Sequence, residues 1–174
     1  IGRRTIGILE ELGYGVESSV TPNIDWSDQG SPGLSFSGAP TQPYRPDRHD
    51  PGKPGDSTLL EVPVTIRRRL LNSLPGIGKK LEPRWLRPTW TSGDALVRLA
   101  EDEIGEARRN SPGRPVVINA MLHNTEVIPD ASPYADTESD AKAILDRLRV
   151  LLAFAQRESI SVIGLGDVPE ILGA

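Results

Sequence analysis

Residues 21–58 constrain the fold most, because this stretch carries seven of the 16 prolines together with five glycines. Proline lacks a backbone N–H and fixes φ, so the stretch cannot be a helix and is a poor central strand. Loops beyond about 15 residues are usually functional or disordered. Because this one contains Trp26, Phe36 and Tyr44, we expect part of it to pack against the rest of the protein.

The segments on either side of this loop alternate between helical and strand periodicity. Strands are predicted at 15–20, 59–66, 115–121 and 160–164, and helices before Gly13, from Ser92 to about Glu106, from Thr137 onward and after Asp167. Pro63 falls inside the second strand and is expected to place it at an edge or a bulge. Helix–strand alternation is typical of an α/β fold with parallel strands.

The two longest predicted helices have clear signatures. Leu96, Leu99 and Ala100 share one face of the first. Thr137 and Asp140 resemble a capping box at the start of the second. Its apolar stripe comprises Ala141, Ile144, Leu145, Leu148, Leu152 and Ala155.

The length of 174 residues fits a single domain covering 1–174. A net charge of −4 argues against a nucleic-acid partner, which would need a basic face. No apolar run approaches the ~18 residues of a membrane span. The absence of cysteine does not fix the compartment, which stays open between cytoplasm and cell envelope. The sequence leaves the oligomeric state open as well.

The first residue is Ile1, and Met121 is the only methionine. We expect the chain to be a trimmed piece of a longer protein; a processed N-terminus is the alternative. Four strands that begin after a helix would then form an incomplete (β/α) barrel.

His123 is the strongest candidate for chemistry. It follows the predicted strand 115–121 and begins a polar loop with Glu126 and Asp130, where α/β barrels place catalytic groups. Histidine has an ordinary pKa of about 6.5 and can transfer protons near neutrality. The alternative is a structural histidine that holds the loop by a hydrogen bond.

Two carboxylates follow the first strand, Glu17 and Asp25, and either could orient an imidazole. Solvent exposure for Glu17 and a turn for Asp25 are the simpler interpretations. Tyr44 and Arg45 with the three tryptophans, Trp26, Trp85 and Trp90, could form an aromatic, cationic wall for stacking on sugar rings, although aromatic residues more often lie in the core.

The segment Leu122-His123, preceded by Val116-Val-Ile-Asn119, resembles the last motif of the polysaccharide deacetylases, the NodB-homology carbohydrate esterases. The longer run from Leu122 to Tyr134, with 13–20 and 36–46, is similar to a WalW-like subgroup. The resemblance implies a distorted (β/α) barrel of which this chain is the C-terminal part. It also implies that His123 is the general acid and that Leu122 lines a pocket for the acetyl methyl group.

The family is also associated with a divalent metal, usually zinc, which activates water to attack an N-acetylated sugar. Its ligands come from an Asp-Asp pair and a His-x-x-x-His motif, and neither is present here, where His49 is the only other histidine. We therefore expect the metal in the complete protein, no metal bound by the family ligands in this chain, and no activity from this chain alone.

Two departures leave the partner of His123 open. Asn124 stands where the family usually has aspartate, and Pro22 where an aspartate often precedes the pair that Asp25-Trp26 resembles. The leading hypothesis is a fragment of a deacetylase-like hydrolase with a carbohydrate substrate. The alternatives are a catalytically silent sugar-binding or interaction module on the same fold, and an unrelated α/β domain.

Overall fold

The computed structural model describes residues 4–27, 33–68 and 83–173. Its helices are α1 (Thr5–Glu11), α2 (Gly93–Asn110), α3 (Glu138–Arg157) and α4 (Val168–Leu172). Its strands are β1 (Val16–Glu17), β2 (Leu60–Glu61), β3 (Ile66–Arg67) and β4 (Arg84–Trp85). Turns of 3₁₀ helix span Asn124–Val127 and Leu165–Asp167.

The predicted parallel pairing is confirmed for β1 and β2, where Val16 pairs with Leu60. Backbone hydrogen bonds extend this pairing as far as Val64, whose N–H donates to the carbonyl of Val20 at 3.1 Å. Pro63 has no N–H to donate, and the predicted strand 59–66 is accordingly divided into β2 and β3. The predicted position at an edge was wrong for β2, because Glu61 pairs with Glu17 on one side and with Tyr44 on the other.

The region beyond Pro63 differs from the prediction, because β3 pairs with β4 in the antiparallel sense. The segment 115–121 lies beside them through isolated bonds: the Thr65 N–H donates to Asn119 and the Met121 N–H donates to Leu86, at 2.9 and 3.2 Å. Neither 115–121 nor 160–164 is part of a regular ladder. Within the described residues the ladders have two strands each, and the incomplete barrel stays a prediction.

The described part of the long loop packs against the protein, as its aromatic residues suggested. Phe36 is buried with Val20 and Ala39, and Trp26 packs against this cluster. The Gln42 side chain acts as a backbone substitute: its amide exchanges hydrogen bonds with the N–H and C=O of Val117 at 3.0 and 3.1 Å. The loop thereby satisfies polar groups that a neighbouring strand would otherwise satisfy.

Helices α2 and α3 enclose the main apolar core. Leu96, Leu99 and Ala100 of α2 pack with Leu151 and Phe154 of α3. The Thr137–Asp140 capping box is confirmed, but α3 buries Leu151 and Phe154, whereas Leu152 is exposed. The predicted stripe was therefore wrong at Leu152, whereas its last member, Ala155, is buried as predicted.

The chain termini follow the predicted pattern in part. Helix α1 ends before Gly13, which has the positive φ of 79° that glycine tolerates. Asp167 precedes α4 without capping it, and its carboxylate instead accepts the Gly164 N–H at 3.0 Å. In the described part of the chain, no helix combines the length and apolar character that a membrane span requires.

Candidate functional site

His123 is held by a buried carboxylate three residues further along the chain. Its imidazole is 60% exposed, and Nδ1 lies 2.7 Å from Oε1 of Glu126, which is 1% exposed. The 3₁₀ turn Asn124–Val127 brings the two side chains together, because its tight winding places residues three apart on one side. The imidazole is thus anchored at Nδ1.

Glu126 has two further partners. Arg87 forms an ion pair with Oε1, and the Thr89 hydroxyl donates to Oε2. Burial alone would raise the pKa of Glu126, but the hydrogen bonds from Thr89, His123 and Arg87 outweigh burial and lower this pKa. Glu126 is therefore ionised at neutral pH and accepts a hydrogen bond from His123 Nδ1–H.

Helix α3 fixes the segment that carries Arg87 and Thr89. The Arg147 guanidinium donates to the carbonyls of Pro88 and Thr89 at 3.0 and 2.9 Å. The Thr91 N–H closes a turn onto the carbonyl of Arg87 at 3.1 Å. Because a packed helix holds this turn, the cations and hydroxyl around Glu126 are positioned in advance.

Aromatic rings surround Arg87 on its outer side. Its guanidinium carbon lies 4.0 Å from the ring centroid of Trp90 and 5.4 Å from that of Tyr134, within the range of cation–π attraction. Trp90 in turn meets Trp85 edge-to-face, with centroids 5.9 Å apart. An Arg87 nitrogen lies 3.4 Å from His123 Nδ1, so the histidine and the aromatic rings share this arginine.

The arrangement suits proton transfer at the exposed nitrogen. With Nδ1–H directed at the Glu126 carboxylate, the other ring nitrogen, Nε2, is the one that can exchange a proton with a ligand. Ionised Glu126 has no proton to donate, so it fixes the hydrogen of this contact on Nδ1. The geometry provides a general acid or base at a surface site.

Glu17 and Asp25, predicted as orienting carboxylates, have other described partners. Glu17 accepts hydrogen bonds from the N–H and hydroxyl of Ser19, and Asp25 from those of Ser27. The latter bonds lower the pKa of Asp25, the Ser27 hydroxyl most. The carboxylate that contacts His123 is Glu126.

The three predicted substrate-binding residues are partly buried in separate places. Leu122 packs against an apolar cluster at the start of α3, Trp26 donates its indole N–H to Thr21 at 2.8 Å, and the Tyr44 hydroxyl donates to Pro51 at 2.5 Å. Burial raises the pKa of Tyr44 well above its ordinary value. The described contacts of Tyr44 and Trp26 hold the long loop together. The acetyl-pocket role of Leu122 stays a prediction.

Several site residues were not identified from sequence. The i,i+3 spacing from His123 marked Glu126 only as a nearby carboxylate, and Arg87 and Thr89 lie in a segment that the sequence marks only as basic and aromatic. Their convergence depends on long-range contacts. Asp130, the other nearby carboxylate, lies in a turn with φ of 59°.

A second carboxyl group is buried at the β1–β2 pair. Glu61 is fully buried and pairs in register with Glu17; its Oε1 accepts the Val20 N–H at 3.0 Å. Burial first, and the neighbouring Glu17 second, raise the pKa of Glu61 to about 9. Glu61 is therefore a neutral acid at physiological pH.

A cavity of about 560 Å³ lies apart from His123. It is lined mainly by residues of 115–120 and 158–165, with Leu151 and Ala155 of α3. His123 does not line it. The imidazole of His123 lies instead at an exposed surface.

The metal associated with the resembled family does not fit the described residues. Among them, no three His, Cys, Asp or Glu side chains converge as a metal site would require.

Comparison with sequence models of known families, with curated proteins and with solved structures gave no significant match.

Proposed function

We propose that this chain is the C-terminal part of a polysaccharide deacetylase-like hydrolase and that His123 is its general acid. The observation that supports this proposal is the 2.7 Å contact of His123 Nδ1 with buried Glu126, in a histidine side chain that is 60% exposed. In this role, Nε2–H donates its proton to the amine that leaves an N-acetylated sugar as the amide bond breaks.

The residues around His123 have different supporting roles in this proposal. Glu126 orients the imidazole, whereas Arg87 and Thr89 keep Glu126 ionised and fixed. The described residues do not form a site for the family's metal, and the proposal for His123 concerns only the proton that it donates.

A silent sugar-binding module is the second candidate. It is favoured by the exposure of Trp90 and Tyr134, which are 52% and 41% exposed beside His123, since exposed aromatic rings commonly mark ligand surfaces. The two functions share the ligand and differ in whether His123 transfers a proton.

The test is deacetylation of a tetramer of N-acetylglucosamine by the full-length gene product supplied with zinc. His123→Ala should reduce the rate at least about a hundredfold. His49→Ala is the matched control, because His49 is the only other histidine and is exposed on the long loop. An unchanged rate in His123→Ala would exclude the proposed role. Binding without turnover by the unaltered protein would favour the silent module.

A further inference from the structure

Trp90 and Tyr134 form an exposed corner beside His123. Their ring centroids are 5.8 Å apart and their planes meet at 75°. Large aromatic side chains are ordinarily mostly buried, yet Trp90 is 52% and Tyr134 is 41% exposed. Two rings at a steep angle offer a floor and a side wall to a small ring-shaped ligand.

The corner is rigid because Arg87 lies beneath it. The Arg87 side chain is 6% exposed, pairs with Glu126, and places its guanidinium carbon 4.0 Å from the centroid of Trp90. Trp85 supports Trp90 from a second direction by its edge-to-face contact. Rings held by such contacts lose little conformational entropy when a ligand binds.

The electrostatics of the corner select an uncharged ligand. The single positive charge of Arg87 is compensated by Glu126, which is ionised because its pKa is lowered. A phosphate or carboxylate would find no uncompensated charge at Arg87, the cation that lies against both rings. A sugar ring instead offers apolar C–H faces to an aromatic ring and hydroxyl groups to the imidazole.

We propose that Trp90 and Tyr134 form a subsite for one uncharged pyranose ring of an oligosaccharide whose neighbouring residue reaches His123. This inference rests on the proposed function, since it names the carbohydrate contact of that same site. It assigns sugar stacking to Trp90 and Tyr134, whereas Trp26 and Tyr44 are bound within the long loop.

Isothermal titration calorimetry with the N-acetylglucosamine tetramer tests the subsite on the full-length gene product. Trp90→Ala and Tyr134→Ala should each weaken binding by about tenfold, the scale of a lost aromatic contact. Trp90→Phe keeps a ring and should retain most of the affinity. Tyr14→Ala is the control, because Tyr14 is 57% exposed beyond α1 and its removal should leave affinity unchanged.

The outcomes separate the subsite from the proposed acid. If Trp90→Ala and Tyr134→Ala, shown to be folded by circular dichroism, bind as tightly as the unaltered protein, the subsite is overturned even when His123→Ala abolishes turnover. Weakened binding in both, with normal turnover in His123→Ala, supports the subsite and removes the acid. Absence of saturable binding by the unaltered protein also overturns the subsite.

Discussion

The Nδ1 atom of His123 and the Oε1 atom of Glu126 are 2.7 Å apart across one 3₁₀ turn, with the imidazole exposed and the carboxylate buried. This difference in exposure lets one residue meet a ligand while the other stays fixed. The same carboxylate oxygen also receives Arg87, so a change at Glu126 affects both the histidine and a buried cation.

Glu126→Gln should lower the free energy of unfolding by about 3–5 kcal/mol at neutral pH, because Arg87 would remain buried without its counter-charge. Urea denaturation measures this loss. Glu158→Gln is the matched control: Glu158 pairs with Arg157 at the surface, where both side chains are at least half exposed, and should cost at most about 1 kcal/mol. If the two substitutions lower the free energy of unfolding equally, the buried Arg87–Glu126 pair stabilises the fold no more than a surface pair.

The acid side of the stability profile should also depend on Glu126. Its pKa is lowered from 4.5, so the ionised group stabilises the fold above 4.5 and this stabilisation is lost as the pH falls through the lowered value. The melting temperature of the unaltered protein should therefore fall on acidification more steeply than that of Glu126→Gln. Parallel curves would contradict the assignment.

Arg147→Ala should destabilise the protein by about 1–3 kcal/mol, because the carbonyls of Pro88 and Thr89 would lose their donor. Sugar binding should weaken as well, since these residues flank Arg87 and Trp90. Arg149→Ala is the comparison on the same helix, because Arg149 is 66% exposed and pairs only with Asp146 among the described residues. If Arg147→Ala loses stability but binds the sugar as tightly as the unaltered protein, the turn held by Arg147 does not position the sugar-binding residues.

Glu61→Gln should make the protein more stable at alkaline pH. The pKa of Glu61 is raised to about 9, so the neutral form stabilises the fold fully below 4.5 and this contribution is lost as the pH rises towards 9. The difference in unfolding free energy should change by about 1.4 kcal/mol per pH unit in that window. Glutamine keeps the acceptor for the Val20 N–H, and a pH-independent difference between the two proteins would refute the prediction.

Gly55→Ala should cost about 1–3 kcal/mol through overpacking in the long loop. A Cβ atom at Gly55 would lie 2.7 Å from the backbone nitrogen of Asp47, which cannot move aside as a side chain could. Gly15→Ala serves as the control, because a Cβ atom there meets nothing within 4 Å. Differential scanning calorimetry should show a lower melting temperature for Gly55→Ala only.

Local signals in the sequence identified the elements that local physics decides. The Thr137–Asp140 box and the stop at Gly13 act within a few residues, and both appear where expected. The parallel β1–β2 pairing followed from alternating periodicity. His123 could be singled out as a candidate because its position after an apolar run is itself a local feature.

Tertiary structure decided which residues surround His123. Arg87 and Glu126 are 39 positions apart and meet only because α3 holds the 87–91 turn through Arg147. No local periodicity encodes such a contact, so Glu17 and Asp25 were as reasonable as partners for His123 as Glu126 was. The same long-range packing placed Trp26 and Tyr44 within the loop and left Trp90 and Tyr134 exposed. The burial of an aromatic side chain depends on the whole fold and not on its residue type alone.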